Sequence, residues 1–419
     1  MLMKISVIGI GYIGLPTAAI LATHGFEIIG VDVNESLIKS VAHGKTDINE
    51  PGLSIIVKAA VKSRGLSCQK QISESDVFII CVPTPFTKEK KADLSYVIQA
   101  AESIVSLLRK GNLVILESTV PPGTTEKVLK PLLEKSGLNA GVDFYLAHCP
   151  ERVLPGNLLN ELIQNDRIIG GINEESGLRA KNLYETFVDG NIYLTDSTTA
   201  ELAKLMENTY RAVNIALANE FALIAEDLGI NIIEGINLAN KHPRVKIPLP
   251  GAGVGGHCIP IDPWFIVEIA SENSKLISLA LKINEDMPEH MISLIEDAFL
   301  EAKKDIKISR IVILGVAYKG DVNDARETPA NPIIQKLKEF GSEVIIYDPI
   351  VTHFSLPIER DIKRAVSSAD ALVIVTDHSE FKRLNLKEIF NLMNEHPILI
   401  DGRNIVFDNE GFIFRGLGR

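Results

Sequence analysis

The sequence predicts an α/β protein in which two doubly wound parallel sheets are joined by a central helical domain that contains one long helix. Three observations predict this fold. Short apolar segments alternate with helical patterns through the first part of the chain, and a similar series begins again beyond Ile306. Between Thr195 and Leu228 there is no glycine or proline, which favours a single helix of about 45 Å with an N-cap at Thr195, Ser197 or Thr198.

Composition limits the class of protein. The 419 residues exceed the ~250 to 300 at which single cores stop growing, so two or three domains are expected. Subtracting 43 basic from 54 acidic residues gives a net charge of −11, which disfavours nucleic acid as a partner. The apolar run from Ile5 to Thr23 contains glycines, Tyr12 and Pro16, which speak against a membrane segment or a signal peptide.

The four cysteines are far apart in the sequence. They form no CxxC pair and have no zinc-ligand spacing with histidine: Cys68, Cys81, Cys149 and Cys258. This usage predicts a reduced, cytoplasmic protein without a metal site.

A glycine fingerprint opens the chain. A short apolar strand, Lys4 to Gly9, leads directly into Gly9-Ile10-Gly11-Tyr12-Ile13-Gly14, and a helical segment follows to His24. A second strand, Phe26 to Val33, contains Asp32 eighteen residues beyond Gly14. Such glycines let a dinucleotide pyrophosphate approach the helix N-terminus, and the acid accepts the ribose hydroxyls and repels a 2′-phosphate. The pattern predicts a Rossmann site for NAD, not NADP, with a structural turn as the alternative. Its cofactor-binding residues would be Gly9, Gly11, Tyr12, Ile13, Gly14 and Asp32.

Three further strands are predicted in this sheet, at Val77–Val82, Leu113–Leu116 and Phe144–Ala147, with a helix at Leu94–Leu108. Ligands of such sheets lie beyond the carboxyl ends of the strands. The loops that follow these strands are therefore expected to face the cofactor: 82–85, 117–124 and 149–152. Within them, Pro83, Thr84 and Thr119 are predicted cofactor contacts, whereas ordinary helix capping is preferred for Thr124.

The long helix has a polar face and an apolar face. Glu201, Lys204, Asn208 and Arg211 lie within about 80° of one another at 100° per residue. The opposite side carries apolar residues: Leu202, Met206, Val213, Leu217 and Ile224. The polar stripe is either a solvated face or the lining of a site. A second helical segment, Ser274 to Lys303, is expected to be interrupted near Pro288, and such paired helices often build dimer interfaces.

A glycine-rich stretch, Gly253 to Pro263, contains a lone thiol. Glycines tolerate φ > 0 and expose bare N–H groups, so the loop could cradle an oxyanion while Cys258 attacks and Asp262 holds water or accepts a proton. The alternative is that Cys258 is a small buried hydrophobe.

The last part of the chain repeats the first. Arg310–Gly320 echoes Lys4–Gly14, Glu343–Asp348 echoes Glu27–Asp32, and a third apolar segment at 368–376 echoes 75–83. A repeat of this length predicts a second Rossmann-like half. Because Ala317 stands where the first copy has Gly11, a different nucleotide is expected there, held by Lys319, Arg326 and Arg403 unless these are plain surface charges.

The whole chain resembles the UDP-glucose/GDP-mannose dehydrogenase family of nucleotide-sugar 6-dehydrogenases. Motifs in all three predicted domains carry the resemblance: residues 9–16, 118–125, 255–258 with Asp262, and 317–321. The resemblance implies a homodimer that oxidises the sugar C6 alcohol to a carboxylate with two NAD⁺, through covalent thiohemiacetal and thioester intermediates. The predicted domains are an NAD-binding domain (1–196), a central helical domain for dimerisation and catalysis (197–303), and a UDP-sugar-binding domain (304–419).

The resemblance also implies roles for individual residues. Cys258 is similar to the nucleophile, Lys204 with Asn208 to the oxyanion stabiliser, and Asp262 to a group that holds water or transfers a proton. Glu151 would help activate the water that hydrolyses the thioester, with Thr119 positioning that water. Arg244 would reach the neighbouring subunit's site. The full substrate-binding set expected is Glu151, Arg152, Lys204, Asn208, Arg211, Arg244, Gly255, His257, Lys319, Arg326 and Arg403.

Departures from the glucose-oxidising relatives favour a particular branch. Those relatives carry a second glutamate four residues after the first, whereas here the run is Glu151-Arg152-Val153-Leu154-Pro155-Gly156, and they carry serine in place of His257. With Gln164–Arg167 and Asp262–Phe265, these features resemble the N-acetylhexosamine branch. They favour UDP-N-acetyl-D-mannosamine as substrate, with Arg152 and Arg211 as candidate contacts to the sugar or its acetamido group.

Several alternatives remain open at this stage. UDP-N-acetylglucosamine or UDP-glucose could be the substrate of the same reaction. A two-electron NAD dehydrogenase of the hydroxyacid type would need a similar first domain but not Cys258. A non-catalytic NAD-binding sensor is the remaining alternative, against which the cysteine loop, Lys204 and Glu151 argue.

Overall fold

The computed structural model describes residues 3–153 and 156–419, so Leu154 and Pro155 of the predicted 149–156 motif lie outside the described residues. The chain forms two compact units. Residues up to Glu207 form the first, together with Trp264–Ser271, and Asn208–Pro263 with Glu272–Arg419 form the second. The three predicted domain boundaries stay a prediction.

Strands and helices alternate from the first strand to the eighth. The strands are β1 Lys4–Ile8, β2 Glu27–Val31, β3 Leu66–Gln69, β4 Val77–Ile80, β5 Leu113–Leu116, β6 Tyr145–His148, β7 Arg167–Gly171 and β8 Ile192–Asp196. The helices among them are α1 Gly14–Thr23, α2 Glu35–Ala42, α3 Leu53–Lys62, α4 Ser95–Val105, α5 Lys130–Leu133, α6 Leu158–Gln164 and α7 Glu174–Tyr184.

The eight strands form one sheet in the order β3-β2-β1-β4-β5-β6-β7-β8. Every pairing is parallel except that of β6 with β7, which is antiparallel. Successive side chains of a strand enter different cores: Ile79 belongs to one buried cluster, and its neighbours Phe78 and Ile80 to another. A sheet buried on both faces is what the near-continuous apolar strands predict, so this α/β prediction is confirmed.

The remaining elements follow the first sheet. The helices are α8 Ser197–Leu228, α9 Ile232–Ala239, α10 Asp262–Ile269, α11 Lys275–Ala302, α12 Ala330–Phe340, α13 Ile362–Val366 and α14 Leu386–Leu392. The strands are β9 Arg310–Leu314, β10 Glu343–Tyr347, β11 Ala371–Ile374, β12 Ile398–Asp401 and β13 Ile413–Gly416. These five strands form a second, fully parallel sheet in the order β10-β9-β11-β12-β13.

The predicted repeat is confirmed in its backbone contacts. Gly9 N–H donates to Val31 O at 2.8 Å, and Gly315 N–H donates to Tyr347 O at the same distance. Both glycines have φ +88°, because the chain turns sharply as it leaves the first strand of each half. A side chain on Gly9 would also approach Cys81 O to 2.7 Å.

Helix α8 confirms the predicted long helix, and its 32 residues span about 48 Å. Its start differs from the prediction. Asp196, the last residue of β8, accepts hydrogen bonds from Thr199 N–H at 2.8 Å and Thr199 Oγ1 at 2.6 Å. The predicted N-caps Thr195, Ser197 and Thr198 are therefore wrong, because the side chain of Asp196 satisfies a free N–H group of the first turn.

The predicted interruption of the second helix near Pro288 is also wrong. Helix α11 runs unbroken from Lys275 to Ala302 with Pro288 inside it. Among the described residues, no helix combines the length and the apolar character that crossing a membrane would require.

Candidate active site

The first fingerprint loop has the shape of a pyrophosphate site. Gly14 packs so tightly that a Cβ there would clash with Gly9 O, whereas a Cβ on Gly11 would meet nothing within 4 Å. Helix α1 carries no acidic residue in its first turn and no side-chain cap on its N-terminal N–H groups. A helix N-terminus that carries no acidic side chain favours an anionic ligand, which is the arrangement that the glycine pattern predicts.

Asp32 and Thr84 offer further groups to a dinucleotide. Asp32 Oδ2 accepts from Ile10 N–H at 3.1 Å and Oδ1 from Asn34 N–H at 2.9 Å, so the half-buried carboxylate is fixed beside the loop with lone pairs to spare. Thr84 Oγ1 is buried and has no hydrogen-bond partner among the described residues. A buried hydroxyl without a partner fits a ligand or a bound water.

Tyr12 is tied to another part of the first unit. Its hydroxyl donates to Glu50, whose carboxylate also accepts from Gly156 N–H at 2.7 Å and Leu158 N–H at 3.2 Å. Glu50 therefore joins the fingerprint loop to the segment that precedes α6.

The loop after β5 is anchored at both ends. Ser118 Oγ donates to Val82 O at 2.7 Å, which joins it to the loop after β4 that carries Pro83. At the other end, the Glu201 carboxylate of α8 accepts from Gly123 N–H at 2.5 Å and from Thr125 N–H at 2.7 Å. Thr119 lies between these anchors, half-buried, and its side chain makes no hydrogen bond within the part of the chain that the structure describes.

Glu151 and Lys204 act on each other electrostatically. Burial raises the pKa of Glu151, and the charge of Lys204 opposes that rise without cancelling it. Lys204 is itself only 7% exposed. A half-buried carboxyl group with a raised pKa beside an ammonium group suits proton transfer.

Arg152, a candidate sugar contact, uses most of its donors within the protein. Its Nε donates to Glu207 Oε1 at 2.6 Å, a second guanidinium nitrogen lies 2.6 Å from the same oxygen, and its NH1 donates to Asp166 O at 2.9 Å. The predicted role of Arg152 in sugar binding stays a prediction, but its guanidinium is already held against α8.

Three of the four thiols are poor nucleophiles. Burial raises the pKa of Cys68 to about 11, with a contribution from Asp32, and burial also raises the pKa of Cys149 to about 11. Burial and the Glu117 carboxylate, which accepts from Cys81 Sγ at 2.9 Å, raise the pKa of Cys81 well above its usual range. None of the four cysteines, all of them described residues, forms a disulfide.

In the second unit, the predicted catalytic loop is fixed at the start of α10. Asp262 N–H donates to Cys258 O at 2.8 Å, so the cysteine lies one turn before the first helical residue. Asn208 Nδ2 donates to Asp262 Oδ2 at 2.6 Å, and both side chains are buried. Cys258, Asp262 and Asn208 are thereby brought together, although Asn208 lies 54 residues from Asp262 in the sequence.

Tyr318 packs against the glycines of this loop. A Cβ on Gly255 would lie 2.8 Å from Tyr318 Cβ and 2.6 Å from Glu327 O, and a Cβ on Gly256 would lie 3.1 Å from the Tyr318 ring. Burial first, then the nearby Asp324 and Cys258, raise the pKa of Tyr318, whereas Arg326 and Arg211 lower it. The glycines are thus required for a close approach, and Cys258, Arg326 and Arg211 all lie near Tyr318.

The predicted cations of the second unit differ in surroundings. Arg326 makes a bidentate pair with Asp324, at 2.9 Å from Nε and 2.5 Å from NH2, and its carbonyl accepts from Gly256 N–H at 2.9 Å. Arg403 NH2 donates to Asp377 Oδ1 at 3.0 Å. Lys319, Arg211 and Arg244 are exposed. Burial alone would raise the pKa of Asp324, but its hydrogen bonds with Arg326 outweigh burial and lower it, and His257 adds to the lowering.

Asp348, the acid of the second fingerprint, uses its carboxylate for hydrogen bonds within the fold. Asp348 is fully buried and accepts from the N–H groups of Val316, Ala317, Ile350 and Val351 at 2.8–3.3 Å. His378 Nε2 lies 3.1 Å from its Oδ2. Asp32, by contrast, is half-buried, so the two halves of the repeat offer different surfaces to a nucleotide.

Sequence reasoning missed several residues that shape these groups: Glu50, Tyr318, Asp324, Glu207 and His378. Glu201 was placed on the polar face without a role. Its spacing of three residues from Lys204 was the available signal, whereas the others are joined to their partners only through the fold. Within the described residues, no group of three His, Cys, Asp or Glu side chains could hold a metal ion.

A glycine loop at a helix N-terminus, an acid after the second strand and a fixed cysteine loop define the class of NAD-dependent oxidoreductases. Comparison with known proteins gives the family. Models of the UDP-glucose/GDP-mannose dehydrogenase family match the chain as the NAD binding domain at residues 3–188, the central domain at 198–286 and the UDP binding domain at 312–408. The chain belongs to this family and is an NAD-dependent UDP-sugar dehydrogenase.

Individual relatives agree over the whole length. The UDP-N-acetyl-D-mannosamine dehydrogenase of Methanocaldococcus jannaschii is 50% identical, covering 99% of this chain and 96% of the relative. The solved structure of UDP-D-ManNAc dehydrogenase from Pyrococcus horikoshii has a TM-score of 0.94 at 46% identity, covering 100% and 99% of the two chains. That of the UDP-N-acetyl-mannosamine dehydrogenase from Staphylococcus aureus has a TM-score of 0.90 at 42% identity, covering 99% and 98%.

Proposed function

We propose that this protein oxidises the C6 alcohol of UDP-N-acetyl-D-mannosamine to the carboxylate, giving UDP-N-acetyl-D-mannosaminuronate. Relatives that are 42–50% identical and are named for UDP-N-acetyl-D-mannosamine support this choice of sugar. So do His257 and the run that follows Glu151, which begins with Arg152 and lacks the second glutamate of the glucose-oxidising pattern.

NAD⁺ supplies the hydride acceptor for both oxidations. We assign its binding to Gly9, Gly11, Tyr12, Ile13 and Gly14, with Asp32 for the ribose, and to Pro83, Thr84 and Thr119 in the loops after β4 and β5.

Residues of this chain act on the C6 carbon of the sugar. In the first step C6 loses a hydride and its hydroxyl proton, which gives an aldehyde. The Cys258 sulfur then adds to that carbon, and Lys204 with Asn208 stabilises the oxygen charge of the thiohemiacetal. Loss of a second hydride and the hydroxyl proton leaves a thioester. Water replaces sulfur at C6, which releases the carboxylate and the Cys258 thiol, with Glu151 as base and Thr119 orienting the water.

One observation carries the covalent mechanism. The Asn208–Asp262 hydrogen bond at 2.6 Å, together with Asp262 N–H bonded to Cys258 O, fixes a thiol in a glycine loop beside a buried carboxylate. The other three thiols have strongly raised pKa values and are unsuited to attack. This arrangement supports nucleophilic catalysis over a non-catalytic NAD-binding sensor.

The test is the number of NADH formed per UDP-N-acetyl-D-mannosamine consumed, by the wild type and by Cys258→Ser. Two NADH per sugar, with turnover lost in the variant, is the expected result. One NADH, or an active variant, would support the two-electron alternative and exclude the thioester. UDP-N-acetylglucosamine and UDP-glucose serve as controls, and a higher kcat/KM with either would replace the proposed sugar.

Substrate contacts are part of the proposal. Lys319, Arg326 and Arg403 would bind the nucleotide diphosphate, and Gly255, His257 and Arg211 the sugar. If Arg211→Ala left the KM for the acetylated sugar unchanged, its assignment would fail. Cysteines without disulfides favour a reducing, cytoplasmic location.

We also propose a homodimer. Four apolar residues of α8 are exposed at heptad-like spacing: Tyr210, Leu217, Ile224 and Leu228. Seven helical residues advance by 700°, so the side chains form one stripe within about 40°. A second copy of the chain would cover it, and Arg244 would then reach the partner's site.

A further inference from the structure

Lys204 lies between two carboxylates on α8. Glu201 precedes it by three residues and Glu207 follows it by three, so at 100° per residue they lie about 60° to either side of it. Glu201 is 1% exposed, although a glutamate is almost never buried without partners. Neither glutamate belongs to the catalytic set proposed above.

Glu201 binds the loop that carries Thr119. Its Oε2 accepts from Gly123 N–H at 2.5 Å, and its Oε1 accepts from Thr125 N–H at 2.7 Å and from Thr125 Oγ1 at 2.6 Å. Three donors on one carboxylate fix the end of the loop, and Ser118 fixes its beginning on Val82. Glu201 therefore holds the loop that carries Thr119 against the first turns of α8.

Glu207 holds the loop that carries Glu151. Its Oε1 lies 2.6 Å from two nitrogens of the Arg152 guanidinium, and Arg152 NH1 also donates to Asp166 O at 2.9 Å. Arg152 directly follows Glu151 in the chain. The ion pair is part-exposed, so its loss should cost less than the loss of the buried contacts of Glu201.

We propose that Glu201 and Glu207 are positioning residues, which hold the loops of Thr119 and Glu151 in register with Lys204 on α8. The inference rests on the proposed function, because Thr119, Glu151 and Lys204 are its catalytic groups. Helix α8 then does more than present Lys204, since each neighbouring turn binds one of the two loops with which Lys204 must act. Displacement of about 1 Å at such a site can cost on the order of 100-fold in rate.

The decisive variants are Glu201→Gln and Glu207→Gln, compared with Glu220→Gln at an exposed position of the same helix. The amide introduced by Glu201→Gln would replace one carboxylate oxygen by an NH2 donor, which would face either Gly123 N–H or the two donors of Thr125. We expect kcat to fall about 10- to 100-fold in Glu201→Gln and about 3- to 10-fold in Glu207→Gln. The KM of each variant for the UDP-sugar should stay within about 3-fold of the wild-type value. Glu220→Gln should match the wild type.

A milder variant covers the case in which Glu201→Gln does not fold. Thr125→Val keeps the backbone donor and the side-chain shape but removes the Oγ1 donor to Glu201. It should lower kcat by about 3- to 10-fold while the fluorescence of the single tryptophan, Trp264, reports an intact fold. Unchanged kcat in a folded Glu201→Gln would overturn the role of Glu201, and so would unchanged kcat in a folded Thr125→Val if Glu201→Gln does not fold.

A double-mutant cycle separates positioning from sugar binding at Arg152. If Glu207 acts through Arg152, the pair Arg152→Ala/Glu207→Gln should lose no more kcat than Arg152→Ala alone. A rise of more than about 10-fold in sugar KM for Arg152→Ala, with Glu207→Gln unaffected, would instead assign Arg152 to the substrate and overturn the role of Glu207.

Failure of the proposed function has a different signature. The wild type and Glu220→Gln are first required to form two NADH per UDP-N-acetyl-D-mannosamine. One NADH from both would reject the four-electron reaction whatever the other variants do. Two NADH from both, with wild-type kcat in the positioning variants, would reject only this inference.

Discussion

Glu151 shows how a single carboxyl group can be prepared for proton transfer. Burial disfavours its charged form, and Lys204 favours that form, with the result that the pKa stays above the ordinary value for glutamate. A base of this kind is more basic than an exposed glutamate, which suits the activation of water. The opposition of burial and a neighbouring cation cannot be seen in the sequence, because residues 151 and 204 meet only through the fold.

We predict that the acid limb of the pH profile belongs to Glu151. Its raised pKa means that the base loses activity at a higher pH than an exposed glutamate would, as pH falls through the folded value. Glu151→Gln should lower the rate of thioester hydrolysis by about 10²- to 10⁴-fold and remove this limb. Single-turnover hydrolysis measured across pH would report both effects. The exposed Glu102→Gln is the control, and an acid limb that survives in Glu151→Gln would assign it to another group.

At the scale of elements, the two halves of the repeat show how one pattern serves different purposes. Both place an acid at the end of their second strand and bond it to the loop after the first strand, from Ile10 to Asp32 and from Val316 to Asp348. Asp348 then accepts three further backbone N–H groups and lies against His378, which leaves it no open position for a ribose. Asp348 therefore has a structural role in the second half of the repeat.

We predict that Asp348 stabilises the second sheet in a pH-dependent way. Burial alone would raise its pKa, but hydrogen bonds from His378 and from Val351, Val316 and Ile350 outweigh burial and lower it to about 2, from 3.8. The folded value lies below the unfolded one, so the stabilisation of about 2 kcal/mol is complete above about pH 5 and is lost as pH falls towards about 2. Asp348→Asn should lower the free energy of unfolding by at least this amount at neutral pH.

Urea unfolding followed by circular dichroism at about pH 7 and about pH 3 measures this difference. The difference in the free energy of unfolding between the wild type and Asp348→Asn should be about 1 kcal/mol smaller at the lower pH. The exposed Glu395→Gln should leave the free energy of unfolding unchanged at both values. A difference that is constant with pH would mean that the titration of Asp348 is not linked to folding.

The sequence was sufficient for elements with a strong period and for motifs with fixed spacing. Strands β1, β9 and β11, the long helix α8 and the fingerprint of Gly9 to Gly14 were all predicted from local pattern. Two predictions from local pattern failed, one at the N-cap of α8, where aspartate stands among three other residues able to cap, and one at Pro288. The cap of α8 is Asp196, and Pro288 continues a helix whose tertiary packing outweighs its missing N–H.

The candidate site was predictable only one residue at a time. Cys258, Lys204, Glu151, Asn208 and Asp262 follow from motif and resemblance, but the contacts that fix them do not. Glu201 reaches Gly123 across 78 residues, and Asn208 reaches Asp262 across 54. No pairwise spacing in the sequence indicates such contacts, because they depend on where the ends of several elements meet.

For the whole molecule, the burial of α8 is the informative feature. A helix of a monomer is expected to bury its apolar side and expose its polar one. Here Glu201, Lys204 and Asn208 are buried, so the solvated-face alternative for them is wrong. Tyr210 is 68% exposed, and Leu217, Ile224 and Leu228 lie on the same stripe. An apolar stripe left open on a helix with a buried polar face supports the dimer interface proposed above.

We predict that Leu217→Glu/Ile224→Glu converts the protein from dimer to monomer. Two charges on the stripe would have to be buried unpaired in the dimer, at a cost of several kcal/mol. Light scattering coupled to size-exclusion chromatography should give twice the chain mass of 45.9 kDa for the wild type and a single chain for the variant. Ile55→Glu/Val142→Glu, which places the same charges on exposed apolar positions of the first unit, should remain dimeric.

The same variant tests whether the dimer completes the substrate site. If Arg244 reaches the partner's site, the monomer must lose that cation as Arg244→Ala does. The KM for the UDP-sugar should then rise by a similar factor in both variants, on the order of 10-fold, and combining them should add nothing further. A monomer with wild-type KM would remove Arg244 from the site. A Leu217→Glu/Ile224→Glu variant that keeps the dimer mass would show that another surface forms the dimer.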